Sequence, residues 1–182
     1  MEDLAPETKV KIYHLILSRY KEHIEKHERS SLSELRQMIT PYNDFIKSLR
    51  DKIIEDLQPY SYEKHFFSAV QKVTEYIRSI KNIKLDIVFW MSFEELDSLK
   101  AGPLIDQAIF LTSLLRSLGS NDTKVYISFL GKIYVGFSWN NTHYLINPES
   151  GSLLSGSDAE NAFVEDHLRY VFNDLSFESL EE

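Results

Sequence analysis

The absence of any cysteine decides the first question of chemistry in this 182-residue chain. No thiolate is available as a nucleophile or metal ligand, and no disulfide can form. The groups left to move a proton stand at a few informative places. Asp106 falls in the first turn of an apolar helical segment, where backbone N–H groups stabilise a carboxylate. Lys132, His143 and Asn147 lie on nearby strand segments and with Asp106 can form a polar pocket. The competing structural role for Asp106 is a cap or a buried ion pair. Asp106, Lys132 and His143 are the candidates for any acid/base activity. His23 and His27 stand at i and i+4 on a helical stretch, a spacing that lets two imidazoles share a metal. Glu25 is misplaced for a His-Glu-x-x-His motif or its inverse, and Glu22, Lys26 and Glu28 favour two exposed histidines on a charged face. No cofactor is expected.

These residues depend on a run of helices followed by strands. Val10, Tyr13, Ile16, Leu17, Tyr20 and Ile24 recur at three- and four-residue steps and predict an amphipathic helix from Glu7 to about Glu28. Ser31 with Glu34 reads as a capping box opening a short helix over Leu32 to Ile39. Pro41 reads as the start of a third helix running to Pro59, and Tyr62 to Ile80 forms a fourth with Phe66, Val70, Val73 and Ile77 on one stripe. Ile83, Leu85, Ile87 and Phe89 alternate as an extended segment, and Ser92 with Glu95 opens another capped helix. Pro103 suits the first turn of the next helix, whose apolar residues from Leu104 to Leu118 cover most of its circumference before Gly119 caps it. Strands over Lys124 to Leu130, Lys132 to Trp139 and His143 to Ile146 predict an antiparallel meander packed on that helix. A last helix, Asp158 to Asp174, is expected to bury Phe163, Leu168, Val171 and Phe172 before an acidic tail. The division expected is 1–59, a helical region packed on or projecting from the core, and 60–182, the core itself.

The stretch Gly102-Pro-Leu104-Ile-Asp106-Gln-Ala108 before the apolar helix resembles the Gly-Asp-Cys-x-Asp-x-Ala segment of the transglutaminase-like (papain-like thiol enzyme) superfamily. Lys132 to Trp139, a short turn, and His143-Tyr-Leu-Ile-Asn147-Pro148 resemble that family's paired strands, so the likeness spans about Tyr60 to Gly156. It implies an α+β fold with a buried central helix on a small antiparallel sheet. It also implies a lost triad, with Leu104 at the cysteine position, Lys132 at the histidine position and Asn147 at the aspartate position. A two-residue slip would put Tyr134 rather than Lys132 in the histidine position. Leucine cannot attack a carbonyl, and an unperturbed lysine titrates near ~10.4, so thiol catalysis is excluded on this register. In active relatives a groove beside the cysteine accepts an extended peptide. Among the dense aromatics, Tyr134, Trp139 and Trp90 are the candidates to line such a groove, with Tyr134 and Trp139 on opposite strand faces.

A net charge of −8 argues against a nucleic-acid surface, and no apolar run reaches the length of a membrane span. A cytoplasmic protein is therefore expected. Two functions follow: a non-catalytic pseudoenzyme that binds a protein partner or another copy of itself, or a hydrolase using non-thiol chemistry at the same cleft.

Overall fold

In the computed structural model, which describes residues 4–26, 32–84 and 90–180, helices come first and a sheet follows. The opening helices are α1 (Pro6–Lys26), α2 (Leu32–Met38), α3 (Asp44–Ile53) and α4 (Tyr62–Arg78). A short strand β1 (Lys81–Asn82), helix α5 (Phe93–Leu99) and β2 (Ala101–Gly102), which pairs with β1 in parallel, lead into α6 (Leu104–Ser117). The rest builds a sheet from β3 (Lys124–Ser128), β4 (Ile133–Trp139), β5 (Thr142–Ile146), β6 (Leu153–Ser155), β7 (Leu168–Phe172) and β8 (Phe177–Ser179), with α7 (Ser157–Glu165) between β6 and β7. Its strands are antiparallel in the order β6-β5-β4-β3-β7-β8.

Helix α6 is the centre of the molecule, as its near-continuous apolar circumference requires. Every side chain from Asp106 to Arg116 is buried, between α3 and α4 on one side and β3 and β4 on the other. Its C-terminus closes on Gly119 at φ +104, where Gly119 N–H donates to the Arg116 carbonyl and Ser120 N–H to that of Leu115. This doubly bonded left-handed cap is open to glycine without the penalty a Cβ would bring. Ile39, Ile46, Leu49 and Ile54 share one cluster with Phe66, Phe110 and Val135, so the helices before Tyr60 and the sheet close over a common core.

Period-two alternation gives the sheet two unlike faces. Val125, Val135, Phe137, Ile146 and Phe172 face α6 and α4. Tyr126, Tyr134, Leu145, Leu168 and Val171 face α7, packing on Ala159 and Ala162.

The capping box at Ser92 forms in full, with Ser92 Oγ accepting from Glu95 N–H and Glu95 Oε2 accepting from Ser92 N–H. Other local expectations shift. Helix α3 begins at Asp44 rather than Pro41, because Asn43 Oδ1 accepts from the N–H groups of Phe45 and Ile46 and fixes the start there. Pro103 is the N-cap of α6, one position ahead of its first turn. The expected last helix is corrected: α7 ends at Glu165, His167 turns the chain at φ 48, and Leu168–Phe172 joins the sheet beside β3. The expected acidic tail contributes β8, and β6 was not foreseen at all. β3 stops at Ser128, so Phe129 and Leu130 stand in the turn, 71% and 66% exposed. Ser31, His27 and the alternating residues Leu85, Ile87 and Phe89 lie outside the described residues.

Phe66 joins α4 to the sheet: it is fully buried, with its ring 5.5 Å from that of Phe137 and 5.2 Å from that of Trp139. Phe66→Ala should lower the urea-unfolding free energy by about 3–5 kcal/mol with little change in the denaturant slope.

Candidate functional site

The first turn of α6 is where sequence and structure meet. Pro103 supplies no side-chain cap, so Asp106, third residue of the helix, is the polar side chain placed to answer its N-terminal N–H groups. It instead turns toward the chain entering α5: Asp106 Oδ2 accepts from Met91 N–H at 3.1 Å. The neighbouring Gln107 is held back by its own bond, Nε2 to the Gly102 carbonyl at 2.9 Å. Asp106 is 3% exposed, and burial pushes its carboxyl up to about 7. The Met91 N–H and the Arg19 charge act against that rise, and Glu95 adds to it.

Beside this carboxyl lies a cavity of about 320 Å³. Met38, Trp90, Met91, Phe93 and Ile109 form its apolar wall, and Arg19, Thr40, Asn43, Ser92, Glu94 and Asp106 its polar part. Arg19 crosses from α1 to hydrogen-bond the Trp90 carbonyl and to pair with Glu95. The Trp90 indole Nε1 is buried and meets no acceptor among the described residues. Arg19 and the α2–α3 linker carried no sequence signal for this site, since neither is near Asp106 in the chain.

The other candidates are elsewhere. Lys132 Nζ pairs with Asp166 Oδ1 at 2.6 Å, and Tyr134 donates to Asp166 Oδ2 at 2.7 Å. Burial raises the Asp166 carboxyl, but the bonds from Lys132 and Tyr134 outweigh it and hold the group below its ordinary range. Burial, aided by Asp166, takes the Tyr134 phenol to about 12. His143 stands with its Nδ1 3.5 Å from Ser138 Oγ and its ring against Phe163, and burial lowers its pKa. Lys132, Tyr134 and His143 thus occupy the α7 face of the sheet, whereas Asp106 is on α6 beneath the other face. The expected pocket of Asp106, Lys132, His143 and Asn147 does not form. Asn147 shapes the β5–β6 turn, its Oδ1 accepting from Glu149 N–H at 2.9 Å and Ser150 N–H at 3.1 Å. Leu104 is the half-buried first residue of α6, and the β4 side chains packed toward α6 are Ile133, Val135 and Phe137. The expected aromatic groove also divides: Trp90 lines the cavity, Trp139 packs on Tyr62 and Phe66, and Tyr134 binds Asp166. Asp166 was hidden in the sequence by its place inside the expected last helix.

His23 lies within α1, and among the described residues no three His, Asp or Glu side chains come together as a metal site.

A buried helix laid on an antiparallel sheet, with further helices closing the other side, is the α+β papain/transglutaminase-like architecture. The solved structure of calcium-bound LapG from Legionella pneumophila is similar: the likeness covers 84% of this chain and 90% of that one, with a TM-score of 0.54 and 15% identity. At that identity the likeness concerns the fold alone. No protein-family model and no curated protein sequence matches the chain.

The Asp106 carboxyl makes stability depend on pH. In the unfolded chain it ionises near ~3.9, and in the folded protein near about 7, so the folded state holds the extra proton between those values. Its contribution is complete below the unfolded pKa and is lost as pH rises through the folded one. Urea unfolding from about pH 5 to 8 should show the native protein losing stability relative to Asp106→Asn; parallel pH profiles would contradict the assignment.

Proposed function

We propose that the protein is a non-catalytic member of the transglutaminase-like superfamily, a cytoplasmic pseudoenzyme that serves as a protein-binding or scaffold module. The observation that carries this reading is the junction where such a fold would assemble its triad. The helix there starts with Leu104, and the strand beside it turns Ile133, Val135 and Phe137 toward the helix. None of these can ionise, so neither a nucleophile nor its base is supplied. The positions expected to hold a lost triad carry other loads: Lys132 in an ion pair and Asn147 in a turn.

A surface for a partner is offered by α1. Val10, Tyr13 and Leu17 follow one another at three- and four-residue steps and are 54%, 49% and 67% exposed, while Ile12 on the opposite side is fully buried. A helix docked by one face and apolar on the other suits packing against a second copy or another protein's helix.

The hydrolase reading has one observation in its favour, a carboxyl held near neutral pH beside a cavity, but Lys132 and His143 are across the sheet from it.

Peptide-cleavage and isopeptide cross-linking assays should give no turnover above a heat-denatured control. Light scattering should show an assembly larger than one chain that Leu17→Glu reduces to a monomer. Turnover that disappears in Asp106→Asn would replace this reading with the hydrolase.

A further inference from the structure

The cavity beside α6 has properties that a structural core does not need. Asp106 is nearly withdrawn from water, yet the one hydrogen bond it accepts from a described residue is that of Met91 N–H. A buried carboxylate is costly unless a cation or several donors answer it. Among the described residues lining the cavity the cation is Arg19, whose charge favours the carboxylate while its guanidinium is held by Glu95 and the Trp90 carbonyl. Glu94 adds a further negative charge to the cavity lining. Of the described residues that line the cavity, Glu94 and Asp106 are acidic and Arg19 is basic, and Arg19 is already paired with Glu95. The positive end of α6 offsets only about half a charge. Thr40 and Asn43, which line the cavity from the α2–α3 linker, are neutral. Apart from Ser92, the remaining wall is apolar and includes an indole, the aromatic type with which cations interact most strongly.

We propose that this cavity binds a small organic cation, a protonated amine carried on a short apolar chain, with Asp106 as its counter-ion and Trp90 as its wall. The volume of about 320 Å³ accommodates such a ligand, whether it is a free amine or the side chain of a lysine in an extended peptide. The ammonium takes the place of the proton on Asp106, so binding releases that proton wherever the carboxyl is protonated in the empty protein. Since burial sets the carboxyl at about 7, affinity should fall toward tenfold per pH unit below that value and level off above it. This inference goes beyond the scaffold reading and does not rest on it: light scattering reports self-association, and the titrations below report the cavity.

The test is calorimetric titration of the intact protein with three probes of one size: n-butylammonium, n-butanol and butyrate. Saturable millimolar binding of butylammonium, with butanol and butyrate much weaker, is the expected result. Asp106→Asn, which keeps an oxygen for Met91 N–H, should weaken butylammonium roughly tenfold or more while near-UV circular dichroism stays native. Repeating the native titration in buffers of different ionisation enthalpy, below pH 7, should reveal the released proton and needs no variant. Adding Nα-acetyl-lysine N-methylamide separates the two sources: tighter binding than butylammonium assigns a peptide lysine, weaker binding a free amine. Equal binding of butanol, preference for butyrate, an unaffected Asp106→Asn, or no butylammonium binding would each overturn the proposal.

Discussion

The structure depends on burying α6 from all sides. A helix whose side chains from Asp106 to Arg116 are all withdrawn from solvent must find an internal answer for each polar group it carries. Three of them do so simply. Gln107 donates to the Gly102 carbonyl, Ser113 donates to the Ile109 carbonyl and accepts from Thr40 N–H, and Arg116 pairs with Asp174 at 2.6 Å. The Thr40 bond fixes the α2–α3 linker against the helix, and the Arg116 pair fixes the turn between β7 and β8. Thr112 Oγ1 and Gln107 Oε1 meet no partner among the described residues, and Asp106 is the costliest case, since one backbone N–H is a small return for a buried carboxyl. The first turn of the buried helix is therefore both its least compensated point and the edge of the cavity.

A second constraint is the sheet itself. Alternation sends successive side chains to opposite faces, so a one-residue choice of register decides which layer a group belongs to. On β4, Ile133, Val135 and Phe137 meet the α6 layer, while Tyr134 meets the α7 layer, where Lys132 also ends. Polar groups gather on the α7 side because Asp166, at the end of α7, can accept from both Lys132 and Tyr134. On the α6 side the β4 side chains Ile133, Val135 and Phe137 are apolar, and the polar groups there belong to α6 itself, from Asp106 and Gln107 to Thr112, Ser113 and Arg116.

Sequence patterning revealed the helices because their stripes are local: Phe66, Val70, Val73 and Ile77 declare α4 without reference to anything distant. The capping box at Ser92 and the left-handed Gly119 were legible for the same reason, each being settled within a few residues. Strand β7 was not, because Leu168, Val171 and Phe172 suit a helical stripe as well as a strand. Only the open edge of β3, some forty residues away in sequence, decides for the strand. The site was legible in the same proportion. Asp106 stood out by its place on the helix, whereas Arg19, Trp90 and Asp166 acquired their roles through contacts that no local pattern encodes.

Catalysis at the cavity would depend on the number of titrating groups that can cooperate there. Hydrolysis without a covalent intermediate needs an acid and a base at one bond, or a base and an oriented oxyanion site. Around the cavity, burial raises the Asp106 carboxyl to about 7, but Arg19 is engaged by Glu95. The amides at the start of α6 can stabilise negative charge, yet the carboxylate of Asp106, held by Met91 N–H, stands beside them. An anion bound before that carboxylate takes up a proton would therefore meet its repulsion. A ligand bearing positive charge meets no such conflict, because its ammonium, the ionised carboxyl and the positive helix end then alternate in sign.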